Sequence, residues 1–146
     1  MQLQGNVKAP LTKARIQKIA KKLLSDLGSE GLELSILLTT DKVIEQLNAE
    51  YRGKHRPTDV LSFSLREGRG AKLAGNCLGD VVISLQTTKR QAKAYAVTYE
   101  EEFIRLLVHG VLHLHGYDHV GVSKSKAQQM RRKEKKLFDE LVTDLL

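Results

Sequence analysis

Between His109 and His119 the chain places four histidines and two glycines within eleven residues, His109-Gly-Val-Leu-His113-Leu-His115-Gly116-Tyr-Asp118-His119. This run limits the local backbone more than any other part of the chain. The flanking residues read as a helix, and an α-helix turns about 100° per residue, so His109 and His113 leave the same face one turn apart. Gly116 is suited to end that helix, because glycine adopts the left-handed conformation that helix stops require. Beyond it the chain can turn and bring His119 back toward the pair. Three neutral imidazoles with one open coordination position are how a catalytic zinc ion is commonly held. His115 lies six residues past His109, about 240° around the helix, and is expected to face the core or surface and not the ion.

The spacing also follows the metzincin protease pattern H-E-x-x-H-x-x-G-x-x-H, with one exception. Position 110 is Gly where those enzymes carry the Glu that serves as general base. The expectation is therefore a metal centre on a helix and the turn after it, without the protease base.

The chain has 146 residues, enough for one domain (1–146) with an adequate core. No apolar run approaches a membrane span, and the N-terminus shows no apolar signal segment. Cys77 is the only cysteine, so no internal disulfide forms, and a cytoplasmic location is the default expectation. As a metal ligand Cys77 is not expected. The formal net charge of +7 points to a polyanionic partner. Basic residues cluster at Arg52-Gly-Lys54-His55-Arg56, at Lys89, Arg90 and Lys93, and at Arg131, Arg132, Lys133, Lys135 and Lys136. For the last cluster, a solvated helix face and an RNA contact are equally good readings.

Apolar periodicity predicts helices over 11–27, from Thr40 or Asp41 to about Arg52, over 87–97, over 100–115, and from Ser123 onward. Strands are predicted near 2–7, over 32–39, 60–65 and 77–85, with a Gly-, Lys- and Arg-rich loop at 66–76. Val43, Ile44 and Leu47 are expected to face inward. The intermixed order predicts an α+β fold, a single mixed sheet of about four strands packed with about five helices.

Arg52 is the first candidate for a catalytic cation. It ends a predicted helix and leads into a loop before a strand, and its planar fork suits phosphate oxygens. A helix C-terminal Arg serving the dipole is the alternative. Arg105, one turn before His109, either approaches the cleft or forms a salt bridge. Asp118 is a candidate acceptor orienting a ligand imidazole, or a turn former. Thr58-Asp59 is expected to shape the turn into a strand. Gly79 before Asp80 suggests a bulge or a close backbone approach.

The His109–His119 run resembles the defining H-G-x-L-H-L-x-G-Y-D-H motif of the bacterial YbeY family. Asn48-Ala-Glu-Tyr-Arg52-Gly-Lys-His-Arg-Pro57-Thr-Asp-Val-Leu-Ser-Phe63 and Leu78-Gly-Asp-Val-Val-Ile-Ser84 are similar to that family's other two blocks. The resemblance implies a zinc-dependent, single-strand-specific endoribonuclease acting in rRNA maturation (16S rRNA 3′-end processing) and 70S ribosome quality control. It implies one zinc ion on His109, His113 and His119, and a functional arginine at Arg52. Single-stranded RNA, rRNA and the ribosome are the implied partners, with ribosomal proteins or GTPases beside them and neither DNA nor membrane expected. The substrate-binding residues are not identified by it. Competing expectations are a metalloprotease-like hydrolase and a non-catalytic ribosome-assembly factor with structural zinc.

Overall fold

A computed structural model describes residues 1–65, 75–117 and 123–145. Four strands, β1 (Gln2–Leu3), β2 (Glu33–Thr39), β3 (Val60–Ser64) and β4 (Cys77–Ser84), form one sheet in the order β1-β2-β4-β3. The first three in that order run parallel and β3 is antiparallel, so the sheet is mixed and the fold is α+β as expected. Five helices accompany it: α1 (Lys13–Asp26), α2 (Asp41–Arg52), α3 (Leu85–Ala94), α4 (Tyr99–Leu114) and α5 (Lys124–Leu145).

The two faces of the sheet bury different residues of the same strands. Val81 and Ile83 of β4, with Ile36 and Leu38 of β2, join the main core of α1, α4 and α5. Val82 and Leu61, at alternate positions, meet Ile44 of α2 on the other face. The helix carrying the histidine motif is the centre of the main core. Phe103, Ile104, Leu107, Val108, Val111 and Leu112 are fully buried, each contributing at most about 1.5–3 kcal/mol relative to exposure.

Local chemistry explains the helix ends. Thr12, Thr40, Ser84 and Thr98 each accept a hydrogen bond from a first-turn backbone N–H. Thr98 and Glu101 form a reciprocal capping box that starts α4. Gly53, at φ 67°, ends α2 directly after Arg52.

Some boundaries differ from the sequence expectation. β1 is two residues long, because only Gln2 and Leu3 pair with β2. α3 begins at Leu85, two residues early, because the buried Ser84 caps it and the strand runs straight into the helix. Only Ile44 and Asn48 of α2 are fully buried, while Val43 and Leu47 are partly so. Asn48 is buried because its amide donates to the Arg56 carbonyl and closes the following loop. Gly79 sits where the pairing with β2 skips a residue, and a Cβ there would collide with the Phe63 carbonyl. That is the close approach its sequence position suggested.

Asp41 is a pH-sensitive tie between α2 and α3. Burial pushes its carboxyl up, but hydrogen bonds from Ser84, Thr87 and Arg90 outweigh that and hold it below the usual carboxylate range. A depressed folded-state pKa means the stabilisation is present above the unfolded value of 3.8 and is lost as pH falls through the folded one. Asp41→Asn is expected to lower stability at neutral pH and to flatten its decline in acid. Denaturant melts from neutral pH to below the carboxylate range check this, and a parent-like acid limb in the variant would refute it.

Candidate metal centre and nucleic-acid site

α4 carries His109 and His113 on one face, as its periodicity requires, and their Nε2 atoms face each other at 3.0 Å. The rings meet edge to face, with centroids 4.6 Å apart and planes at 69°. Two imidazole lone pairs at that distance repel unless a proton or a cation lies between them. In a tetrahedral zinc site, bonds of about 2.0–2.1 Å set two ligand nitrogens roughly 3.3–3.4 Å apart. The pair therefore suits a divalent cation in donor type, while its 3.0 Å separation is shorter than that spacing and is that of an Nε2–H···Nε2 hydrogen bond between the rings. Among the described residues no third His, Cys, Asp or Glu joins it. His119, expected as the third ligand, and Asp118, expected to orient a ligand, lie outside the described residues.

His109 Nδ1 lies 3.2 Å from Oε1 of Glu134 on α5. The contact is largely enclosed, with side chains 19% and 15% exposed. Arg105, one turn before His109, is salt-bridged and does not join the histidine pair. Its guanidinium makes two 2.7 Å bonds to Glu102 and lies 3.9 Å from Glu134. Glu102 is only 1% exposed and also accepts from Gln91 of α3, which donates in turn to Asp59. Asp59 accepts from the Val60 N–H and the Thr58 hydroxyl, so this pair does shape the turn into β3. A continuous polar chain thus runs from the β3 turn through three helices to the histidine pair.

Arg52 projects from the last turn of α2 to the outer edge of β3. One of its donors binds the Ser62 carbonyl at 2.7 Å, and its guanidinium carbon lies 5.6 Å from the centre of the Phe63 ring. The Ser62 hydroxyl donates to the Gly110 carbonyl. Arg52 therefore sits one strand residue away from the helix turn that bears His109, with other guanidinium donors left for a ligand.

Gly110 is buried where α4 crosses β3 and β4. A Cβ there would lie 2.8 Å from Val81 Cγ1 and 3.2 Å from both Ser62 Oγ and Val60 Cγ2. The position that holds the base in metzincins is here a close-packing contact. His115 turns away from the pair, as its angle around the helix predicts. Its Nδ1 donates to the Val111 carbonyl at 2.9 Å and its Nε2 meets the Ser29 hydroxyl. It fastens the end of α4 to the turn after α1. Cys77 opens β4, paired with Glu33 of β2.

Sequence reasoning missed Glu134 and Glu102. Glu134 interrupts an apolar 3-4 repeat on α5, Ala127, Met130, Leu137 and Leu141, all of them buried. A carboxylate at the central position of such a stripe marks a buried partner. Glu102 stands in the first turn of α4 with Glu100 and Glu101, and was indistinguishable from acids serving the helix dipole.

These features define an α+β protein whose central helix presents a histidine pair, one member of which meets a carboxylate of a neighbouring helix. The family described as Endoribonuclease YbeY matches residues 2–142. A curated endoribonuclease YbeY from Sulfurihydrogenibium sp. is 45% identical over 135 residues, covering 92% of this chain and 87% of the relative. One from Aquifex aeolicus is 48% identical over 112 residues, covering 77% of this chain and 73% of the relative. The solution structure of a Thermotoga maritima protein is 25% identical with a TM-score of 0.61, covering 98% of this chain and 91% of that one. The chain belongs to the YbeY endoribonuclease family, the one its three sequence blocks resemble. Among the described residues no helix is long and apolar enough to cross a membrane.

Proposed function

We propose that this chain is a zinc-dependent, single-strand-specific endoribonuclease acting in rRNA maturation at the 3′ end of 16S rRNA and in 70S ribosome quality control. The observation that carries the reading is the pair of facing imidazoles on α4 in a member of this family. His109 and His113, with His119, would hold one zinc ion. When bound, the ion supplies a Lewis acid and lowers the pKa of a coordinated water. Arg52, anchored at the β3 edge, offers its remaining donors to the phosphate and stabilises the charge that develops during cleavage.

The RNA backbone is held by cations. Tyr117, just past the end of α4, lines an open cleft with Gln129, Arg132, Lys133 and Lys136 of α5. Replacing Arg132, Lys133 and Lys136 together with Gln is expected to reduce the salt slope of single-stranded RNA binding by about 2, at roughly 0.7 per phosphate contact. An unchanged slope would show that the RNA path lies elsewhere.

Cleavage of end-labelled single-stranded RNA by the parent and by His113→Ala, purified identically, tests the proposal. Cutting by the parent alone supports it. Equal cutting by both identifies a contaminant, and no cutting by either favours a non-catalytic assembly factor. Arg52→Ala is expected to lose at least about 100-fold in cleavage, the scale of one charge-stabilising donor, with zinc affinity and stability retained. Loss of zinc in that variant, measured by chelator competition, would refute this role for Arg52.

A further inference from the structure

We propose that Glu134 is a positioning residue for the candidate metal centre, fixing the His109 tautomer whose Nε2 faces His113. This inference rests on the metal reading above and extends it to a residue outside the histidine motif.

An imidazole can ligate through Nε2 only if that nitrogen carries no proton, so in the neutral ring the proton must reside on Nδ1. A carboxylate beside Nδ1 stabilises that arrangement, because an ionised carboxylate accepts hydrogen bonds and donates none. Glu134 Oε1 occupies this position at 3.2 Å. The same oxygen lies 3.9 Å from Arg105, so the closer partner is the histidine and not the arginine. Arg105 is already engaged by Glu102 through two 2.7 Å bonds. The arginine therefore steadies Glu134 at a distance without drawing it away from the ring.

The placement of Glu134 within α5 supports the same role. Its neighbours on the stripe are buried apolar residues that hold α5 against the core. A side chain of two methylenes and a carboxylate at 15% exposure has little freedom to turn outward. Desolvation strengthens its interaction with the imidazole and with any positive charge beyond it. Carboxylate partners of metal-bound histidines typically account for 10–100-fold in metal affinity.

The test uses the full-length parent, Glu134→Ala and Glu134→Gln. In metal-free protein, long-range ¹H–¹⁵N correlations of the imidazoles report the His109 tautomer. The parent is expected to show the proton on Nδ1, Glu134→Ala to shift it toward Nε2, and Glu134→Gln to retain it through the amide oxygen. In the second arm, zinc affinity by chelator competition is expected to fall at least about tenfold in Glu134→Ala and to recover in large part in Glu134→Gln. Thermal melts confirm that both variants fold. A parent-like tautomer and parent-like zinc affinity in folded Glu134→Ala would overturn the proposal. If the parent binds no zinc, the metal reading fails, and the tautomer measurement still decides whether Glu134 orients the ring.

Discussion

Replacing Gly110 with Glu, which would complete the metzincin motif, is expected to prevent folding and not to create a peptidase. The first methylene alone would press within 2.8 Å of Val81 Cγ1, beside Ser62 and Val60. Overpacking of this kind costs about 1–3 kcal/mol. The carboxylate would then be forced between α4 and the sheet, and burying that charge costs several kcal/mol more. The sum approaches the whole stability of an ordinary domain, about 5–15 kcal/mol. Gly110→Ala separates the two effects. Its steric cost is offset by about 1 kcal/mol of improved helix propensity, so the melting temperature should fall by no more than about 8 °C. Thermal melts followed by circular dichroism check both variants. A folded Gly110→Glu protein melting near the parent would show that α4 can lift off the sheet, and would reopen the peptidase reading.

The sequence made the glycine visible but not its reason. Position 110 stood out as a missing base, and only the packing shows that a Cβ would collide with β3 and β4 there. The helix and its histidine face were legible because both depend on local period: His109 and His113 share a face and His115 does not, whatever surrounds them. The cap at Thr40 was legible in the same local way, as a short polar side chain placed before an apolar periodic run, whereas the capping box at Thr98 was not read from the sequence. Strand order was not legible. The edge position of β3, which lets Arg52 reach the Ser62 carbonyl, arises from contacts between segments distant in sequence. The polar chain from Asp59 to Glu134 was invisible for the same reason, since its members come from the β3 turn, α3, α4 and α5. Glu102 alone reads as one more first-turn acid, and only its full burial distinguishes it from the partly buried Glu100 and Glu101.

Glu102→Ala is the second large effect expected, and it tests whether that chain behaves as a unit. Removing one partner of a buried ion pair costs about 3–5 kcal/mol, because the other charge is left without its counterion. Glu102 is 1% exposed, but Arg105 is 38% exposed and can recover some hydration. The expected loss is therefore about 2–4 kcal/mol, or roughly 5–15 °C in melting temperature for a chain of this size. Arg105→Ala alone should also destabilise, since it strands a carboxylate that water cannot reach. The double variant leaves neither charge unpaired, so its loss should be smaller than the sum of the two single losses by at least about 1 kcal/mol. There is a consequence at the histidine pair as well. Arg105 released from Glu102 is free to close the 3.9 Å gap to Glu134 and compete with His109 for it. Glu102→Ala should then weaken zinc binding although Glu102 does not contact either histidine, and removing Arg105 in addition should restore it. Additive stability losses, with zinc affinity unchanged in all three variants, would show that the buried pair merely packs α4 and does not hold the site.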